Sequence, residues 1–366
     1  MKHMKASLIG RMARLRMLKS AGLVLATAGC ATSLVLPAAG ASATRVPHAA
    51  VYNIPQKGIN VLFYDKSNLT DADLVTNSTK TMKYVKGLGA NYVSIAFPIF
   101  TDSVTSNALT TGYGTPTPAR LASLVNAARA QGLSVAIRPL LDEKTLRPKW
   151  RGLLAPTNLT QWFASYSAVI APYLTMAQTN KVSMFQIANE LQSLNDKPQW
   201  KAVLTNAAKT FKGKFQFTST FWNQGMTTTT PASFGLDAYT GVNVAPNASV
   251  PTLVAALTGV FKIYKLPVPI TQASMTEVGI MAQSGAYKTP SQVSLFGPPS
   301  PQALNPVIQA NWFSGYCQIV RTNKMQGIYF WAINFPGDAS AAADLIYPAR
   351  FTPAGVLAIK NCFAGK

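Results

Sequence analysis

Histidine is almost missing from this 366-residue chain: two occur, His3 and His48, both ahead of the first strand-like segment. A catalytic triad built on histidine is therefore excluded for the folded region, and so is a histidine-based zinc site. Acids are scarce too, with 12 Asp+Glu against 33 Lys+Arg and a formal net charge of +21. Three of those acids are glutamates: Glu143, Glu190 and Glu277. No glycine-rich phosphate loop follows the first strand-like segment, which removes the main sign of nucleotide binding. Internal repeats, coiled-coil heptads and low-complexity tracts are absent as well. The acid–base chemistry open to such a chain narrows to carboxylates.

What is present begins with an export pattern. Lys2, Lys5, Arg11, Arg14, Arg16 and Lys19 precede an apolar stretch from Ala21 to Ala39, and Ala41-Ser42-Ala43 offers small residues for cleavage. Residues 1–43 thus read as a secretory signal, 44–57 as a leader and 58–366 as one domain. The expected location is extracellular. An uncleaved anchor is one alternative, because the apolar stretch is nearly long enough to span a bilayer. A lipid on Cys30 is another, although Thr27 stands where such sites usually carry a large aliphatic residue. No later run is long and uncharged enough to cross a membrane.

Removing the six basic residues of that segment leaves 27 Lys+Arg against 12 Asp+Glu, a net charge of +15. This permits a polyanion-binding role. The basic residues are nevertheless spread along the sequence, whereas a nucleic-acid footprint needs a patch or stripe, so no nucleic-acid partner is expected. Two cysteines remain, Cys317 and Cys362, both in C-terminal helical segments. They are read either as a disulfide between adjacent helices or as two free thiols.

From Gly58 onward, Val/Ile/Phe-rich runs alternate with amphipathic stretches. Strands are expected at 58–64, 91–98, 134–139, 182–187, 215–221, 235–244, 268–275 and 327–333. Helices are expected at 71–88, 118–131, 159–179, 199–211, 252–264, 301–322 and 353–362, with a weak or missing helix between the fifth and sixth strands. Eight strands mostly separated by helices predict a single-domain α/β protein, a (β/α)₈ TIM barrel, in preference to a doubly wound sheet. A monomer is expected.

In such a barrel the active site lies at the C-terminal ends of the strands. Glu190 follows the fourth expected strand and Glu277 closes the seventh, so the two would face one mouth. A pair of carboxylates is what glycosidic bond hydrolysis requires. One protonates the leaving oxygen, while the other attacks the anomeric carbon or activates water. Other strand ends carry groups suited to sugars: Tyr64 and Asp65, Arg138 and Asp142, Trp222 and Asn223, Asp237 and Tyr239, and Trp331 and Asn334. Aromatic faces stack on sugar rings, and amides and carboxylates bind hydroxyls. Glu143 is read as a loop residue or as one that supports the site from behind its contact residues. The chemistry requires no cofactor and no metal.

At these residues the chain resembles a known group. Asn189-Glu190 and Thr276-Glu277-Val278-Gly279 look like the acid/base and nucleophile signatures of the retaining glycoside hydrolases of clan A. Gly89-Ala-Asn-Tyr-Val-Ser-Ile95, Trp150-Arg-Gly152, Trp162-Phe-Ala-Ser-Tyr166 and Gly327-Ile-Tyr-Phe-Trp331 make the chain most similar to glycoside hydrolase family 113, the β-mannanase-type barrels. The resemblance implies an endo-β-1,4-mannanase acting on a β-linked polysaccharide or oligosaccharide with retention of configuration. It implies Glu190 as acid/base, Glu277 as nucleophile, Asn189 on the sugar 2-hydroxyl, Tyr239 on Glu277, and Trp150 and Arg151 along the substrate loop. Where many clan members place an arginine on the second strand, this chain reads Ser94-Ile-Ala-Phe-Pro98. Arg138 on the next strand is the candidate to replace it. The alternatives are a β-glucanase of the same clan, or a non-catalytic carbohydrate-binding barrel.

Overall fold

The computed structural model describes residues 51–366 except 67, 143–144, 147–148, 221–232, 239–241, 243, 246–247, 263–265, 280–305 and 337–350. Eight parallel strands close into a barrel in sequence order, with β1 pairing to both β2 and β8. They are β1 (Gln56–Phe63), β2 (Tyr92–Ile99), β3 (Ser134–Leu141), β4 (Met184–Asn189), β5 (Lys214–Thr220), β6 (Ser233–Asp237), β7 (Ala273–Val278) and β8 (Gly327–Phe335). Most strand residues are buried on both faces, so the strands read as continuous apolar runs and not as alternations.

Around them stand α1 (Asp71–Gly87), α2 (Pro118–Ala130), α3 (Leu159–Thr179), α4 (Gln199–Thr210), α5 (Val250–Phe261), α6 (Pro306–Thr322) and α7 (Pro353–Ala364). Side-chain oxygens of Thr70, Thr117, Asn158, Ser249 and Thr352 accept an amide of the first turn of α1, α2, α3, α5 and α7. In α1 the buried residues Leu74, Ser78, Thr81, Met82 and Val85 follow helical spacing and form the stripe turned to the barrel. Among the described residues no helix is long and apolar enough to cross a membrane. Cys317 of α6 and Cys362 of α7 are joined in a disulfide.

Two boundaries differ from the sequence expectation for identifiable reasons. Strand β1 starts at Gln56, two residues inside the expected leader, because Gln56 is buried and its Oε1 accepts from Tyr329 at 2.9 Å. Hydrophobic patterning passes over such a polar residue. Strand β7 starts at Ala273, since Pro267 and Pro269 lack amide donors for a ladder and the chain instead makes a 3-10 turn over Ile270–Gln272. This places Glu277 within the strand. Strand β6 ends at Asp237. The expected start of the helix before β8, at 301–305, lies outside the described residues.

The site is fixed by two kinds of contact. Inside the barrel, Ser94 donates to Gln186 at 3.1 Å, Gln186 to Gln216 at 2.8 Å, and Gln216 to Ser233 at 3.1 Å. This amide chain ties β2, β4, β5 and β6 together one layer below Arg138. Outside it, the Tyr166 hydroxyl of α3 donates to the Ile187 carbonyl at 2.6 Å. Its ring stacks on Trp162 at 5.3 Å and meets Trp200 of α4 edge-on at 5.6 Å. Helix α3 therefore holds β4 two residues before Asn189.

Candidate active site

Arg138 projects from β3 and is fully buried. Its Nη2 donates to Glu277 Oε2 of β7 at 2.6 Å and to Asp237 Oδ2 of β6 at 2.9 Å. Its Nη1 donates to Asp237 Oδ1 at 3.3 Å. Thr218 of β5 and Thr276 of β7 complete the shell of Asp237, donating at 2.9 and 2.8 Å. Gly235 makes this closure possible: a Cβ there would stand 2.5 Å from the Thr276 side chain and 3.0 Å from that of Thr218. Burial disfavours the charged form of Arg138, yet Asp237, Glu277 and Glu190 outweigh it and its pKa is raised. The guanidinium is a permanent cation supporting two carboxylates.

Glu190 sits directly after β4, in the left-handed backbone region at φ 53°. A non-glycine residue there costs on the order of 1–3 kcal/mol, and such strain gathers at functional sites. The conformation is held by the Glu190 amide, which donates to the Thr218 carbonyl at 3.0 Å. The carboxylate accepts from Arg151 Nη1 at 3.2 Å. Burial raises the Glu190 pKa well above its ordinary value; Arg151 and Arg138 oppose this, while Asp237 and Glu277 add to it. The two glutamates thus occupy contrasting fields. Glu277 accepts from the fully buried Arg138, whereas Glu190 accepts from the partly exposed Arg151 and burial raises its pKa.

The remaining residues singled out in the sequence divide into several groups. Asn189 donates through Nδ2 to the carbonyls of Pro139 and Gln186 at 2.7 and 2.9 Å, which locks it beside Glu190, and its Oδ1 lies 3.2 Å from the Thr218 hydroxyl, whose single proton it shares with Asp237. The ring centroid of Trp331 lies 5.9 Å from the Arg138 guanidinium carbon. Trp150 lays its indole over Gly152, where a Cβ would come within 2.3 Å of the ring, and so shapes the turn that presents Arg151. Tyr64 hydrogen-bonds Asp142. Asn334, partly buried, is in register with Leu62 at the end of β8.

Two acids expected to meet sugar are engaged elsewhere. Asp65 accepts from Arg120 Nε at 2.6 Å and Nη2 at 2.8 Å. Asp237 takes four donors on its two oxygens, so it serves the constellation from within. Trp222, Asn223, Tyr239 and Glu143 lie outside the described residues. Sequence reasoning missed Thr218, whose only signal is its strand position in register with Asn189, and met Thr276 only as part of the Glu277 motif, with no role of its own. Among the described residues, no three His, Cys, Asp or Glu side chains are grouped as a metal site.

Comparison with known proteins decides the family. The profile of Glycoside Hydrolase Family 113 matches residues 71–346, more than half of the chain. The chain belongs to glycoside hydrolase family 113. The family lies in clan A, and its enzymes act on O-glycosyl bonds. No curated protein matches in sequence. Among solved structures, a family 113 β-1,4-mannanase is similar with a TM-score of 0.67 at 16% identity, covering 85% of this chain and 99% of that one. The family 113 β-mannanase AaManA from Alicyclobacillus acidocaldarius, in complex with ManMIm, gives 0.63 at 17% identity, covering 87% and 100%. A subfamily 18 member of glycoside hydrolase family 5 from Streptomyces cattleya, in complex with Manβ1-4GlcNAc, gives 0.53 at 13% identity, covering 85% and 80%. At these identities the likeness is one of fold, a (β/α)₈ barrel.

Proposed function

We propose that this family 113 hydrolase is a retaining, endo-acting β-1,4-mannanase. The observation that carries the reading is the contrast between the two glutamates: Glu277 bonded to a buried arginine, Glu190 buried with a raised pKa. Glu277 attacks the anomeric carbon as the bond to the leaving oxygen breaks, and Glu190 gives that oxygen its proton. Glu190, now a carboxylate, takes a proton from water. The oxygen of that water displaces Glu277 from the anomeric carbon, and the starting protonation returns. Arg138 and Asp237 hold Glu277 in place, Arg151 moderates the proton affinity of Glu190, and Trp331 and Trp150 offer ring faces at the mouth. The mannan assignment rests on the family and on its structural neighbours.

We further read residues 1–43 as an export signal and the mature protein as an extracellular monomer. The Cys317–Cys362 bond supports export, since disulfides persist in oxidising compartments. Reducing-end release from mannans, glucans and xylans by the purified protein and by Glu277→Ala tests the enzymatic reading. Release from mannan by the wild type alone is the expected result. Equal release by both proteins would sink the assignment of Glu277, and release only from glucan would replace the substrate.

A further inference from the structure

The charges of this protein are sorted between the two ends of the barrel. Every described Asp and Glu lies at or beyond the C-terminal ends of the strands, or in the first turn of the helix that follows: Asp65, Asp71, Asp73, Asp102, Asp142, Glu190, Asp196, Asp237 and Glu277. The opposite end, where helices return to strands, is cationic. Lys86, Arg129, Lys181, Lys212, Lys262 and Lys324, all exposed, supply one cation near each of the first six helix ends. The connecting segments at those ends contain no Asp or Glu. A cation beside a helix C-terminus complements its dipole, which explains why single lysines occur there. The same dipole opposes an acid there, but it does not explain lysine at two ends whose backbone favours glycine.

Two of these lysines are placed against local backbone preference. Helices α1, α2 and α7 are followed by glycines in the left-handed region, at φ 88°, 69° and 80° for Gly89, Gly132 and Gly365. Helices α3 and α6 end instead in the same tripeptide, Thr179-Asn180-Lys181 and Thr322-Asn323-Lys324, with the lysines at φ 54° and 50°. Glycine is the residue such helix ends favour. A lysine there keeps a charge at a conformational cost.

We infer that the N-terminal end of the barrel is a docking surface for an anionic polysaccharide. Five of the six cations are lysines, compact charges on flexible stems that suit a flexible polyanion and lack the fixed fork by which arginine grips a single carboxylate or phosphate. Stacking of nucleobases needs exposed aromatic rings. The strongly exposed aromatic among the described residues, Tyr113, lies after β2 at the other end. Insertion into a membrane needs an apolar face, and among the described residues Val51 is the strongly exposed large apolar residue at this end. Docking here leaves the catalytic mouth, on the opposite rim, open to a neutral glycan. The inference stands apart from the mannanase reading.

The test is affinity for polygalacturonate, measured on the full mature chain at low salt and at about 0.5 M NaCl, where screening confines charge interactions to a few ångströms. Lys181→Gly/Lys324→Gly should bind about tenfold more weakly at low salt while its Tm rises, so the loss cannot come from unfolding. Lys66→Gln/Lys201→Gln, which removes two exposed lysines at the catalytic end, should bind as the wild type does. Wild-type binding should vanish at high salt. Equal weakening in both variants, salt-resistant binding, or no binding would overturn the inference. Binding to duplex DNA or anionic vesicles in preference to polygalacturonate would overturn the choice of partner.

Discussion

Arg138 and Glu277 meet across the barrel mouth, with Nη2 of the first 2.6 Å from Oε2 of the second, although they come from strands on opposite sides of the barrel. The same nitrogen reaches Asp237 at 2.9 Å. One cation therefore fixes the orientation of Glu277 and balances the acid beside it.

Replacing Arg138 should affect both stability and turnover. Arg138→Met leaves two buried carboxylates without their cation, and breaking a buried pair costs about 3–5 kcal/mol. Urea unfolding would read that loss. Arg138→Lys should restore part of it, since one ammonium can serve one carboxylate but not the fork that spans two. On mannan the lysine variant should lose kcat by about 10²-fold with little change in KM, as expected when an electrostatic support of the transition state is removed. Its acidic limb should also move to higher pH. An unchanged pH profile would show that Arg138 is structural only.

Glu190 gives a second prediction. Burial is the first cause of its raised pKa. The folded protein holds this proton more tightly than the unfolded chain does. That contribution to stability is complete below the ordinary carboxylate range and is lost as pH rises through the folded value. Glu190→Gln should therefore flatten the fall in Tm on the alkaline side of that range. With an aryl β-mannoside whose leaving group needs no proton, the variant should retain its first step and lose the alkaline limb. Arg151→Gln removes a cation 3.2 Å away and should shift the limb to higher pH. An unmoved limb would remove Arg151 from the account.

The disulfide predicts a separation of stability from catalysis. It closes a segment of 45 residues between α6 and α7, and a loop of that size is worth about 4 kcal/mol in chain entropy. Cys317→Ala/Cys362→Ala should unfold at lower urea with kcat at 25 °C unchanged. A large drop in kcat at full folding would link α6 and α7 to the site.

Much of this was legible in the sequence because it is local. Helix α3 runs from Leu159 to Thr179, the bounds its sequence predicts. Glu190 and Glu277 stand out because the chain has so few acids. What stayed hidden depends on closure of the barrel. Arg138 and Asp237 are 99 positions apart, and Arg138 and Glu277 are 139 apart. Thr218 and Thr276 look like ordinary strand formers until their hydroxyls are seen on Asp237. The Asp65–Arg120 pair, 55 positions apart, is likewise brought together only by the fold. The cationic end was invisible for the same reason: its lysines come one per connection, and only the fold assembles them.

The central claim is that Glu277 becomes covalently bonded to sugar. The direct measurement is intact-protein and peptide mass spectrometry after incubation with 2-deoxy-2-fluoro-β-mannosyl fluoride, which slows breakdown of a glycosyl-enzyme. The account predicts one added fluoromannosyl group, on the peptide that contains Glu277, and none on Glu277→Ala. An adduct on another residue, or none while the wild type hydrolyses mannan, would contradict it.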